Sequence, residues 1–189
     1  MMTTFEEQKK KSAKPLLWIS MISMAMIFAG LTSAYVVRKA EGNWLDFEFP
    51  VWFYFSTVFI ILSSFTINWA KNSIKNDELE KAKKGFNYTL ILGLAFALSQ
   101  YITWKVLYAN GVYFTGPGSN ASGSFLYVLT LMHLFHLGGG LLALAYTTYK
   151  AKKGAYSSNN YLGVELCVIF WHFLDFLWLY LFLFLLYNH

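Results

Sequence analysis

At 189 residues, 57% hydrophobic, 20% aromatic and only 13% charged, the chain carries about half the charge of a soluble domain, which excludes an ordinary water-soluble globular protein. Its formal net charge of +5 sits in segments flanking apolar runs, so it reports membrane topology and excludes a nucleic-acid partner. The single cysteine, Cys167, excludes an intrachain disulfide and any cysteine-based metal motif.

A helix needs roughly 20 apolar residues to cross a bilayer, and five stretches qualify: 15–37, 50–70, 85–109, 124–149 and 161–187. The predicted fold class is an all-α membrane protein, a bundle of five transmembrane helices forming a single domain over residues 1–189. The first span follows Lys9, Lys10, Lys11 and Lys14 and opens at Pro15, where a missing N–H costs nothing. Its apolar core is too long for a signal peptide and AGLTSAYVV is a poor cleavage site, so it is read as a retained helix. Pro50 opens the second span, and no proline is expected inside a span. The charged connection KNSIKNDELEKAKKG is expected to prolong both flanking helices, pairing Asp77 with Lys81 and Glu80 with Lys84 at i, i+4.

Gln100 lies on the third span, with Lys105 near its end. The loop GVYFTGPGSNASGS is rich in glycine and serine and is predicted to be irregular. Its Asn120-Ala121-Ser122 matches a glycosylation sequon, a match best explained by chance outside a eukaryotic host. His133 and His136 lie on the fourth span; Glu165, Cys167, His172 and Asp175 lie on the fifth, which ends at a solvated His189. Cys167 reads as a small apolar packing residue. Trp171 and Trp178 read as packing or lipid contact, and Trp44, Trp52 and Trp104 fall near the outer interface. Small residues recur at helical spacing, Ala25–Ala29–Ser33, Gly93–Ala97 and Gly139–Ala143, and predict close helix approach.

If all five spans cross, twelve basic residues fall on one side: Lys9, Lys10, Lys11, Lys14, Lys71, Lys75, Lys81, Lys83, Lys84, Lys150, Lys152 and Lys153. Only three, Arg38, Lys39 and Lys105, fall on the other. This asymmetry places the N-terminus in the cytoplasm and the C-terminus outside.

The polar residues within the spans form a pattern. His133 and His136 are three apart and share a face. Glu165, His172 and Asp175 form one stripe roughly 15 Å long. His136 and Asp175 each lie about twelve residues from the outer end of their spans, roughly 18 Å down, close to the midplane. Gln100, His133, His136, Glu165, His172 and Asp175 could therefore share a polar layer on spans three, four and five, lowering one another's burial cost. HLFH is a weak metal motif: copper or zinc needs a third converging ligand, and a bis-histidine haem needs ligands on two helices, for which His172 is the candidate. An interhelical hydrogen-bond cluster is the better reading of the histidines than a metal site. Between a structural cluster and a proton relay the residues alone do not choose.

YLGVELCVIFWHFLDFLWLYLF resembles the end of subunit III of haem–copper oxidases, typically FGFE…YWHFVDVVWLFL, at Gly163, Glu165, Trp171, His172, Phe173, Asp175 and Trp178. MHLFHL is similar to that family's FHGLHV at His133 and His136, and LGLAFALSQ is similar to its LG…F..LQ segment at Gly93 and Gln100. The resemblance covers essentially the whole chain. Five spans match the short form, which lacks the first two helices of longer members. Two acids of the family pattern are missing: the first span has no carboxylate, and Thr103 and Trp104 stand where a glutamate often follows LQ.

The resemblance implies a non-redox accessory subunit of a proton-pumping cytochrome c oxidase in the bacterial inner membrane. Haem and copper would then lie in partner subunits and none in this chain, with bound phospholipid beside it. The implied partners are subunit I as main contact, subunit II, small subunits, membrane lipids and a respiratory supercomplex around them. The resemblance leaves a quinol oxidase or a nitric oxide reductase as alternative parent complexes. An independent small transporter with a His/Asp/Glu relay is the alternative of another class; it would purify and act alone.

Overall fold

The structure is a computed structural model. It describes the backbone of residues 2–188 except 46 and 159, and the side chains of residue 8 and of 11–188 with the same two exceptions. His189 and the side chains of Lys9 and Lys10 lie outside the described residues. Five helices follow in order: α1 (Met2–Ala40), α2 (Trp52–Lys75), α3 (Leu79–Ala109), α4 (Ala121–Lys152) and α5 (Leu162–Asn188). Each contains a run long and apolar enough to cross a membrane. Among the described residues there is no strand, only an isolated bridge between Ser157 and Asn160.

Helix α1 starts well before its apolar run, so Pro15 lies inside the helix and does not open it. The preceding Glu, Gln, Lys and Ala residues are strong helix formers, and the helix propagates through the single rung that proline leaves unbonded. The charged connection does prolong α2 and α3, but its pairs differ from expectation. Lys81 reaches back to Glu78 and Lys83 to Glu80, each at 2.8 Å. Asp77 is unavailable to Lys81. It sits at φ 56° in the turn between the helices, and its Oδ1 accepts the backbone N–H of Ser158 at 2.8 Å. Aspartate tolerates this left-handed conformation better than most residues.

Helices that follow one another in the chain run antiparallel. Thr89 on α3 meets Thr66 on α2 at 2.8 Å, and Trp104 Nε1 on α3 donates to Thr130 on α4 at 3.0 Å. Helices α1 and α5 run parallel: Lys14 meets Glu165 near one end, and Lys39 Nζ donates to the Asn188 carbonyl at the other. The segment before α1's apolar run, the α2–α3 turn and the α4–α5 connection therefore share one end of the bundle. At that end Asp77 is tied to Ser158. At the opposite end, Asn120 caps α4 by accepting the Ser122 N–H at 3.1 Å, and its Nδ2 donates to the Asn43 carbonyl at 3.0 Å. Asn120 thus has a structural use as a cap.

Helix α1 packs against α4 and α5 and, among the described residues, has no backbone contact with α2 or α3. Its buried seam is narrow, with Met21, Phe28 and Tyr35 seven apart. The core is aromatic, built around Phe53, Phe86, Phe96, Trp171 and Trp178. Of the three small-residue stripes, one packs tightly. A Cβ on Gly93 would lie 2.8 Å from Trp171, whereas Gly139 has nothing within 4 Å. Ala25 and Ala29 are exposed, at the rim of a shallow hollow shared with Phe173 and Phe176. Approaches as close or closer occur at Gly85, where a Cβ would lie 2.8 Å from Ala70, and at Gly140, where it would lie 2.6 Å from Leu174.

Candidate functional site

The six polar residues expected in one layer occupy three settings. Glu165, in the first turn of α5, pairs with Lys14 of α1 at 2.7 Å. His172 and Asp175 face α2, which corrects the expectation of partners on the third or fourth span. His172 Nδ1 is 2.7 Å from Ser64 Oγ, and Nε2 is 3.1 Å from Asn68 Oδ1. With Nε2 donating to Asn68, Nδ1 accepts the Ser64 hydroxyl proton. Asp175 Oδ2 lies 3.6 Å from His172 Nδ1, beyond hydrogen-bond length. The carboxylate is buried, and neither oxygen makes a hydrogen bond with any of the described residues.

The α4 histidines part company despite sharing a helix. His136 points toward α1, with its ring edge against Phe28 at 5.6 Å and Nδ1 donating to the Met132 carbonyl at 2.7 Å. Among the described residues it is the one polar side chain lining an open groove of about 840 Å³, whose apolar walls include Met24, Leu90, Leu142 and Phe170. His133 points into the core, 5.7 Å from the Phe96 ring and 5.1 Å from Trp178. Gln100 is fully buried on α3, and no side-chain polar atom of Gln100 or His133 has a hydrogen-bonding partner among the described residues. Among the described residues, no three His, Cys, Asp or Glu side chains form a group that could hold a metal ion.

Helix α2 supplies partners that the sequence reading missed. Trp171 Nε1 donates to Ser63 at 2.9 Å and Trp178 Nε1 to Thr57 at 3.0 Å. Together with Ser64 and Asn68, these residues make α2 the polar counterpart of α5. The signal is present in FSTVFIILSSFTIN: Ser56 and Ser63, and Thr57 and Ser64, are each seven apart and so lie on one face. The tryptophans are packing residues with a hydrogen-bonded tip, as buried indoles usually are.

A family model described as cytochrome c oxidase subunit III matches residues 45–189. The cytochrome c oxidase subunit 3 of Thermostichus vulcanus is 28% identical over 174 residues, covering 88% of this chain and 82% of the relative. A probable cytochrome c oxidase subunit 3 of Nocardia farcinica is 28% identical over 181 residues, covering 90% and 84%. The Locusta migratoria subunit 3 is 32% identical over 131 residues, covering 68% of this chain and 46% of the relative. The match takes in four of the five helices, with Gln100, His133, His136, Glu165, His172 and Asp175 among its residues, and with it the chain belongs to the cytochrome c oxidase subunit III family.

Proposed function

We propose that this integral membrane chain is a non-redox accessory subunit of a proton-pumping oxidase, stabilising the catalytic subunit and supporting proton uptake. Asn68 carries this reading. It is exposed, and His172 beside it is 33% exposed, both within apolar spans. His172 lies near the middle of its span, and a hydrogen-bonding group at such depth faces protein or a water-filled cavity, not lipid. The flank of α2 and α5 is thus the face for a transmembrane partner, with subunit I as the main contact. The outer faces of α3 and α4 present Ile91, Leu94, Leu98, Phe135 and Leu142 and suit lipid. The groove beside His136 accommodates phospholipid chains. Cytochrome c as electron donor follows the names of the relatives, and the bacterial inner membrane follows the bacterial ones.

Affinity purification from mild detergent tests this, read by haem spectroscopy and mass spectrometry. Haem–copper subunits should co-purify. The chain released from them should retain no stoichiometric haem, copper or zinc. Purification as a self-sufficient transporter, without haem proteins, would overturn the assignment.

A further inference from the structure

Gln100 on α3 and His133 on α4 stand at nearly the same level of the seam between these helices. The register there is set by Trp104 bonding Thr130 and by Gly93 lying against Leu141. Gln100 is one turn from Phe96 on the same face of α3, and the Phe96 ring touches the His133 ring. Trp178 walls His133 from α5. Both residues are 0% exposed, and Gln100 Oε1 and Nε2 and His133 Nδ1 and Nε2 all lack a partner among the described residues.

The hydrogen-bond arithmetic of this pair does not close within the protein. A glutamine amide offers two donors and an accepting oxygen, and a neutral imidazole offers one donor and one acceptor. A single direct bond after a side-chain rotation would engage one atom of each residue and leave the other atom of each orphaned at its full desolvation cost. A small molecule that both donates and accepts removes the deficit, and water is the one that enclosed polar groups ordinarily recruit. A metal is a poor fit, because no third ligand converges here.

We infer that Gln100 and His133 form an internal water-binding site between α3 and α4, holding at least one ordered water in the membrane-embedded core. The site depends on neither the α2 flank nor the redox partner. It gives His133 a hydrogen-bonded environment separate from that of His172.

Cryo-electron microscopy of the assembled complex, at a resolution that shows ordered water, tests the site directly. Density within hydrogen-bond distance of both side chains is expected. Side chains bonded only to each other or to other protein groups, with no such density, would overturn it. Gln100→Leu, His133→Leu and the double variant give a second reading through the melting midpoint of the complex. Each single substitution strands the opposite group and should lower the midpoint; the double should recover about half or more of the larger loss, because paired apolar replacement removes both unmet groups. Strictly additive losses would count against a shared site.

Discussion

The indole N–H of Trp171 on α5 donates to the hydroxyl of Ser63 on α2 at 2.9 Å, deep in the bundle. Ser63 gives its own proton to the Ile60 carbonyl at 2.7 Å, so its oxygen is already oriented as an acceptor. Trp178 and Thr57 repeat the arrangement further along the same seam. Ser63→Ala leaves the indole buried without a partner. It should destabilise the bundle by about 1 kcal/mol, within the range measured for interhelical hydrogen bonds in membranes. Ser63→Thr keeps the acceptor and should lose less. Denaturant titration of the complex in detergent separates the two.

Gly93 and Gly139 should respond oppositely to alanine. At Gly93 the new methyl would lie 2.8 Å from Trp171 and 2.9 Å from Leu141, and overpacking of this kind costs roughly 1–3 kcal/mol. At Gly139 nothing lies within 4 Å, so Gly139→Ala should be neutral or slightly stabilising. Equal effects on thermal midpoint at the two positions would show that the Trp171 contact is not a constraint.

Asp175→Asn keeps hydrogen-bonding capacity beside His172 and removes the charge, whereas Asp175→Leu removes both. If the carboxylate steadies the Ser64–His172–Asn68 cluster through its charge, 3.6 Å from His172 Nδ1, both variants are retained poorly in the complex. If the cluster moves protons, both assemble and both slow proton uptake. We expect the structural outcome; Leu-variant complexes as stable as wild type would rule it out.

The tie between Asp77 and Ser158 should depend on pH. Ser158, through its side chain and its N–H, holds the Asp77 carboxyl below the usual aspartate range. A depressed folded value means that the tie is complete above the unfolded aspartate value, near pH 4, and is lost as pH falls through the folded one. The Ser158 amide should therefore be protected from hydrogen exchange at neutral pH and lose that protection in strong acid. Asp77→Ala should remove it at every pH.

Topology is open to reporter fusions. A reporter in the α2–α3 turn should read as cytoplasmic and one after Asn188 as external, following the basic asymmetry. An external reading in the turn would invert the bundle.

Helix number was legible in the sequence because five apolar runs of spanning length, punctuated by charge and glycine, admit few other parsings. Membership of the family was legible in Glu165, Trp171, His172 and Asp175, a string specific enough to stand without coordinates. Even the alternating direction of the helices was implied by their short connections. The groupings of the polar residues were not legible. Spacing along one helix says which side chains share a face, but not which neighbour that face meets. Glu165 and His172 lie two turns apart on one stripe, yet one meets α1 and the other α2. His133 and His136 are three apart, an angular separation large enough to send one inward to Trp178 and the other outward to Phe28. The hydroxyls of α2 looked incidental because serine and threonine can satisfy themselves on their own helix, as Thr57 does at the Phe53 carbonyl. Only the arrangement of helices shows that the same oxygens also receive the tryptophans of α5, because a hydrogen bond between distant segments depends on helix placement, which no local pattern encodes.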